Sequence, residues 1–277
     1  NVSDTAGNAA TQATKNITLD KTAPTGLTIA ATLEVDNIVN ASEDDTVIVS
    51  GTTTGIEDGQ TVTVVFTDGS GSTVTQTASV SSNAYAIAGA DISGLKEGTI
   101  AITANVSDTA GNAATQATKN ITLDKTAPTG LTIAATLEVD NIVNASEDDT
   151  VIVSGTTTGI EDGQTVTVVF TDGSGSTVTQ TASVSSNAYA IAGADISGLK
   201  EGTIAITANA TDAAGNAASQ ATKNLTFDKT ASITIASTLE GDNVANATED
   251  GDVVVSGTTT GVEDGQTVTV VFTDGSG

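Results

Sequence analysis

The sequence predicts an all-β fold made of tandem immunoglobulin-like antiparallel β-sandwich domains in an elongated array. The first observation is repetition: the stretch Asn1–Gly26 returns unaltered at Asn105–Gly130 and, with small changes, from Asn209. The second is that each repeat contains about seven short segments in which apolar and polar residues alternate between turn residues. The third is that no stretch has an apolar period of 3.6 residues, so we expect no substantial helix.

The starts at Asn1, Asn105 and Asn209 give a period of 104 residues, which is the size of a whole domain with its own core. We therefore divide the chain into two complete repeats, 21–124 and 125–228. A C-terminal fragment of a repeat occupies 1–20, and an N-terminal fragment occupies 229–277. The sequence has no initiator methionine, signal peptide or long apolar run, so we expect it to be part of a longer protein.

The first half of the second repeat illustrates the elements. Alternation from Leu131 to Ala135 predicts a half-buried strand, and an acidic loop follows at 137–150. Val151 begins the next strand. The segment 159–164, which contains Glu161, Asp162 and Gly163, is typical of a turn.

The second half continues in the same manner. Val166, Val168 and Phe170 share one face of a strand, and a flexible turn at 172–175 follows it. The Thr- and Ser-rich segment 176–186 predicts an outer strand. The remaining strands are predicted around Tyr189 and Ile191, around Ile204 and Ile206, and at the segment that ends with Leu225, Phe227 and Asp228.

Composition limits both the core and the chemistry. Aromatic residues are 2% of the chain, so each core must be built from Val, Ile, Leu and Ala. There is no Cys or His, which excludes a disulfide framework, thiolate or imidazole metal sites, and Ser-His or Cys-His nucleophiles. We predict that the protein is not an enzyme. The net charge of −26 disfavours nucleic acid and anionic membranes as partners, and we expect neither membrane insertion nor a small-molecule substrate.

Five motifs recur in fixed order: V-S-D-T-A-G-N (Val106–Asn112), D-K-T-A-P (Asp124–Pro128), D-N-I-V-N (Asp140–Asn144), V-S-G-T-T-T-G (Val153–Gly159) and E-D-G-Q-T-V-T-V (Glu161–Val168). Their order and spacing resemble the bacterial Ig-like extender repeats of giant RTX or LapA-like surface adhesins. The resemblance covers essentially the whole chain. It implies a secreted spacer at the surface of a Gram-negative cell, exported by type I secretion, which projects a distal binding domain for cell adhesion and biofilm formation. It also implies calcium ions that stiffen the connections between neighbouring repeats of the same chain.

Calcium is a hard cation that takes six to eight oxygen ligands. The candidate metal ligands are carboxylates and amides of loops and turns, and we predict Asp4, Asp20, Asp36, Asn37, Glu43, Asp44, Asp108, Asp124, Asp140, Asn141, Glu147, Asp148, Asp212, Asp228 and Asp242. In an immunoglobulin-like sandwich, the loop after the first strand lies at the end from which the chain exits. Asp124, Asp36 and Asp212 are therefore expected to converge, and Asp228 is expected to pair with Asp140.

The alternative interpretation is that these residues are solvated loop acids that act as turn formers. For Glu161–Asp162 and for 172–175 we prefer the turn interpretation. The spaced D-x-D-x-D-G loop that ends in Glu is absent from the sequence.

Two other functions stay open at this stage. One is a glycan- or protein-binding module, which the small number of aromatic residues disfavours. The other is a matrix filament subunit that assembles by strand exchange.

Overall fold

The computed structural model describes residues 1–275, which form two compact units. Unit 1 comprises Asn1–Ala127 together with Ala213–Asn216. Unit 2 comprises Pro128–Asp212 and the chain from Ala217 onward. Every regular element in the described residues is a β-strand, which confirms the all-β prediction and the expected lack of helix. Accordingly, residues 1–275 contain no helix with the length and apolarity needed to cross a bilayer.

The strands of unit 1, within the described residues, are β1 (Gly26–Leu27), β2 (Ile38–Val39), β3 (Val47–Thr54), β4 (Thr61–Thr67), β5 (Thr73–Ser79), β6 (Ala84–Ala90), β7 (Gly98–Asn105) and β8 (Ala117–Leu123). They form a three-stranded sheet in the order β1-β3-β6 and a five-stranded sheet in the order β2-β8-β7-β4-β5. The pair β2 and β8 is parallel and the other pairs are antiparallel. This two-sheet arrangement confirms the predicted immunoglobulin-like sandwich.

The core of unit 1 lies between its two sheets and is aliphatic. Alternation along β4 turns Val62, Val64 and Phe66 inward, where all three are fully buried. Ile100 and Ile102 of β7 are buried beside them in the same cluster. Because Val and Ile supply most of the buried volume, a core of this composition fits the low aromatic content of the chain.

Unit 2 repeats the architecture with β9 (Gly130–Leu131), β10 (Ile142–Val143), β11 (Val151–Thr158), β12 (Thr165–Thr171), β13 (Thr177–Ser183), β14 (Ala188–Ala194), β15 (Gly202–Asn209) and β16 (Ala221–Phe227). Its sheets have the orders β14-β11-β9 and β10-β16-β15-β12-β13. Unit 2 also contains an antiparallel pair made of β17 (Ser232–Ile235) and β18 (Gly257–Thr260).

The sequence analysis was wrong at one element and right at another. The segment 137–150 was predicted to be loop throughout, yet Ile142–Val143 forms a parallel pair with Thr226–Phe227. A strand of two residues is too short to show alternation. Its partner also lies more than 80 residues away in the sequence, so no local pattern indicates the pairing. The predicted outer strand at 176–186 is confirmed, since β13 is an edge strand. The repeat boundaries proposed above stay a prediction.

Candidate metal-binding loops and turns

The turn before the last strand of the first complete repeat is closed by the side chain of Asp108. Its carboxylate accepts hydrogen bonds from the backbone N–H of Asn112 at 2.8 Å and from Asn112 Nδ2 at 2.9 Å. These bonds, the one from the Asn112 side chain above all, hold the pKa of Asp108 below its ordinary value. Asp4 makes the same pair of bonds to Asn8, at 2.9 and 2.8 Å. Both carboxylates therefore already stabilise their own turns.

The third copy of this aspartate, Asp212, lies in unit 2 and is only 3% exposed. Its predicted convergence with Asp124 and Asp36 stays a prediction.

The acidic loop after the first strand has an unusual backbone. Glu34, Val35 and Asn37 adopt φ values of 44°, 69° and 68°. The left-handed region is uncommon for residues other than glycine, and for a β-branched valine it is a true outlier. Asn37 Oδ1 accepts the Leu33 N–H at 3.0 Å, and Asp36 accepts the Ile38 N–H through Oδ1 at 2.8 Å. Asp36 Oδ2 accepts no bond from any described residue.

The same loop recurs in the second repeat. Asn141 accepts the Leu137 N–H at 3.0 Å, and Asp140 Oδ1 accepts the Ile142 N–H at 2.9 Å. In both repeats the asparagine Oδ1 accepts a hydrogen bond within the loop, whereas the aspartate Oδ2 accepts none from the described residues.

Asp44 and Asp148 are buried candidate ligands, at 8% and 9% exposure, as are Asp108 and Asp212. Their carboxylate oxygens are not among the buried side-chain oxygens that lack a hydrogen-bond partner in residues 1–275, which belong to Thr53 and Thr157. Their main chains are well fixed, since the carbonyls of Asp44 and Asp148 each accept an isoleucine N–H at 2.7 Å. Burial removes part of the hydration of a carboxylate, and a bound cation would offset that loss.

The neighbouring glutamates have a different role. Glu43 accepts the Asn40 N–H at 3.0 Å, and Glu147 accepts the Asn144 N–H at 3.0 Å. Each of these carboxylates caps the short turn that contains it.

The aspartates that follow the last strands also form local turns. Asp20, Asp124 and Asp228 accept the backbone N–H of the threonine two residues later through Oδ1, at 2.9, 3.1 and 3.4 Å. Asp242 accepts the Val244 N–H at 2.9 Å. The Oδ2 atom of each is without a hydrogen bond from the described residues, so each could provide one ligand oxygen.

Within residues 1–275, no three or more side chains of Asp, Glu, His or Cys are grouped so as to hold a metal ion. The structure therefore brings the predicted ligands to turn and loop positions, many of them bonded locally. The ligand set itself stays a prediction.

The two segments interpreted as turns do form turns. Asp162 accepts the Ser186 N–H at 2.8 Å. Asp172 accepts bonds from the N–H and Oγ of Ser174 at 2.8 and 2.7 Å and from the Lys200 N–H at 2.9 Å. These bonds, the one from the Ser174 hydroxyl above all, hold the pKa of Asp172 far below its ordinary value.

Sequence reasoning missed the residue that holds the exit from the first repeat. Glu97 accepts the Lys125 N–H at 2.8 Å and the Thr126 hydroxyl at 2.8 Å. Lys125 Nζ in turn donates to the Ser93 carbonyl at 2.7 Å. Glu97 lies 28 residues from Lys125 in the sequence, and no local pattern links them.

No protein-family profile matches the sequence, and no curated protein sequence matches it. Among solved structures, the chain is similar to a tetra-tandem repeat in the extending region of a large adhesion protein. The two are 32% identical with a TM-score of 0.36, over 84% of this chain and 55% of that one. A Ca²⁺-stabilised adhesin with which an Antarctic bacterium binds ice is 33% identical with a TM-score of 0.46, over 93% of this chain and 63% of that one.

Fibronectin(III)-like modules of Clostridium thermocellum CbhA are 13% identical with a TM-score of 0.42, over 73% of this chain and 94% of that one. The chain spans less than two thirds of the length of either adhesin structure.

Proposed function

We propose that this chain is part of the spacer of a bacterial cell-surface adhesin, in which tandem repeats hold a distal binding domain away from the cell. The observation that carries the proposal is the succession of two 104-residue repeats with matching strands, matching sheet orders and separate cores. Repetition of a complete domain adds length by constant increments, whereas a binding or catalytic function needs only one copy of its site. The proposed setting is the outer surface of a Gram-negative bacterium, with type I secretion as the route and cell adhesion and biofilm formation as the role.

We propose calcium as the ion that stabilises the repeats. The chain offers oxygen donors only, because it has no His and no Cys, and oxygen is the ligand that Ca²⁺ prefers. Asp44 and Asp148 occupy equivalent buried positions in the acidic loops of the two repeats, where a bound cation would offset lost hydration. The free Oδ2 atoms of Asp36, Asp124 and Asp228 fit the same chemistry.

The excess of acidic side chains explains how the loops would respond to the loss of calcium. The chain has 34 acidic side chains against 8 basic ones, so carboxylates in neighbouring loops repel each other when no cation screens them. Bound calcium supplies positive charge and holds several carboxylate oxygens at once. Glu97 and Lys125 would keep the exit segment on the surface of its own repeat throughout, because their hydrogen bonds need no ion.

The stabilisation follows from mass action. A ligand that binds only the folded state adds RT ln(1 + [L]/Kd), which is about 2.7 kcal/mol when free calcium is 100-fold above Kd.

The test is to measure the melting temperature by calorimetry and the maximum particle dimension by X-ray scattering, with excess Ca²⁺ and with a chelator. We expect the chelator to lower the melting temperature and to shorten the particle. The double variant Asp44→Asn, Asp148→Asn should lose most of the response of melting temperature to calcium.

The matched control is Asp91→Asn, Asp195→Asn, because these two carboxylates only bond the serines two residues later and are outside the predicted ligand set. That control should keep the calcium response. A wild-type chain whose melting temperature and dimension are the same with and without chelator would contradict the proposal.

A further inference from the structure

The strand β5 (Thr73–Ser79) is one edge of the five-stranded sheet of unit 1, and β13 (Thr177–Ser183) is the same edge in unit 2. Each has a neighbouring strand on one side only, with which it pairs along its whole length without a register shift. Natural sheets protect such an edge with short strands, Lys, Pro or bulges. The strand β5 is seven residues long and contains neither Lys nor Pro, so its edge is open to a further strand.

Two hydrogen bonds fix which backbone groups of β5 are directed away from the sheet. The Val80 N–H donates to the Gln60 carbonyl at 2.8 Å, and the Ser72 carbonyl accepts the Asp68 N–H at 3.0 Å. Residues 72 and 80 therefore face β4, and in an antiparallel pair every second residue between them does the same. The residues whose N–H and C=O groups are directed outward are Thr73, Thr75, Thr77 and Ser79. The corresponding bonds in unit 2 have the same lengths and give β13 the same orientation.

This edge is also free of charge in a strongly acidic chain. The net charge is −26, yet the segments 69–90 and 173–194 contain no charged residue. The adjacent strand β4 is uncharged as well. The opposite edge of the sheet is the two-residue strand β2, which lies between Asp36 and Glu43. Two copies of the chain repel each other, and the repulsion is small where their uncharged edges meet.

The edge sequence is complementary to itself. When two β5 strands run antiparallel about a two-fold axis at Gln76, Thr75 faces Thr77 and Thr73 faces Ser79. Every outward N–H of one copy then meets an outward carbonyl of the other, and the hydroxyl side chains form cross-strand pairs. The outward residues have exposed side chains in both repeats, so no rearrangement of the core is needed.

We propose that β5 and β13 are docking strands for a second copy of this chain, which adds its own β5 or β13 antiparallel to the edge. The added strand continues the five-stranded sheet across the contact, as in other cases of strand addition. This interaction goes beyond the spacer role, because it would hold neighbouring spacers side by side. It uses no carboxylate and is therefore independent of the proposed calcium site.

The test is sedimentation velocity of the full chain in chelator, at increasing chain concentration and at low and high NaCl. The chelator excludes association through calcium that bridges carboxylates. We expect association to increase with NaCl, because salt screens the repulsion between acidic copies. Thr75→Glu, Thr179→Glu places like charges on the docking strands and should weaken association at least tenfold. Thr118→Glu, Thr222→Glu is the matched control, since it adds the same charge at exposed positions of β8 and β16, away from the edge, and it should associate like the wild type.

Hydrogen exchange identifies the strand that pairs. On association the amides of Thr75 and Thr77 should gain protection, whereas Gln76, which faces β4 in the monomer, should not change. Thr77→Pro, Thr181→Pro removes an outward N–H that the sheet itself does not use, and it should also weaken association. Near-ultraviolet circular dichroism of the two tyrosines reports that both cores stay folded. A wild type that stays monomeric at high salt, glutamate variants and controls that associate equally, or Thr75 and Thr77 amides that gain no protection would overturn the proposal.

Discussion

Gly51 lies in β3, close to the Thr28 carbonyl and to the ring of Tyr85 in β6. A Cβ added to it would lie 1.9 Å from the carbonyl oxygen of Thr28 and 2.6 Å from the ring of Tyr85. The Tyr85 hydroxyl donates to that same carbonyl at 2.8 Å. Substitution of Gly51 by alanine must therefore separate the first strand from the rest of its sheet.

The cost of Gly51→Ala can be worked from the bonds that the displacement breaks. Besides the Tyr85 bond, the Thr28 N–H donates to Thr52 at 3.0 Å and the Ala30 N–H donates to Ser50 at 2.8 Å. Three hydrogen bonds at about 1 kcal/mol each give about 3 kcal/mol. Overpacking strain of about 1–3 kcal/mol adds to this. We expect unit 1 to lose about 4–6 kcal/mol, a large part of the stability of an ordinary domain.

The assay is urea unfolding followed by tyrosine fluorescence in a Tyr189→Phe background, which leaves Tyr85 as the single tyrosine of the sequence. Gly51→Ala should lower the unfolding midpoint strongly. The control Gly69→Ala has nothing within 4 Å of the added Cβ and should change the free energy of unfolding by less than about 0.5 kcal/mol. Equal midpoints for Gly51→Ala and the wild type would refute the close-approach reasoning.

Three further outcomes follow from individual residues. Thr53 is 3% exposed and its Oγ1 has no hydrogen-bond partner among the described residues. Thr53→Val should therefore raise the free energy of unfolding by about 1–2 kcal/mol. A lower urea midpoint would mean that the hydroxyl has a partner. Val35 has φ 69° and is 95% exposed, and the third repeat has Gly241 at this position with φ 82°. Val35→Gly should therefore relieve strain and stabilise unit 1 by about 0.5–1 kcal/mol in the same urea assay, net of the entropy of glycine, and a loss of stability would contradict this. The hydrogen bond from the Lys96 N–H above all lowers the pKa of Asp68. The ionised carboxylate of Asp68 therefore contributes fully to the free energy of unfolding above the unfolded pKa of about 3.9, and this contribution is lost as pH falls towards the folded pKa. Melting temperature should accordingly fall between pH 5 and pH 2, and the fall should be smaller in Asp68→Asn.

Alternation was a sufficient signal for the long strands. Val166, Val168 and Phe170 were predicted to share a face, and all three are fully buried. The signal works because a strand that covers a core must place every second side chain inward. It fails for Ile142–Val143, which pairs through its backbone with a distant strand and has too few residues to alternate.

The candidate site was less predictable, because aspartates with different roles look the same in a sequence. Asp108 accepts two hydrogen bonds from Asn112 in its own turn, whereas Asp36 accepts one from Ile38 through Oδ1 alone. Only the packing of the surrounding loop separates these two environments.

The role of Tyr85 was likewise not visible in the sequence, where it appeared as one more alternating apolar residue. Burial raises the pKa of its phenol to about 12, and its hydroxyl bonds a carbonyl 57 residues earlier. The close approach of Gly51 is the reason that this bond can form, and a single glycine among 28 gives no hint of it.

Calorimetric titration of Ca²⁺ into the chelator-stripped chain is the most direct test of the claim that acidic loops hold a structural cation. The wild type should bind calcium saturably, and Asp44→Asn, Asp148→Asn should bind fewer ions per chain than Asp91→Asn, Asp195→Asn. Absence of saturable heat in the wild type, or equal stoichiometry in the two double variants, would contradict the account.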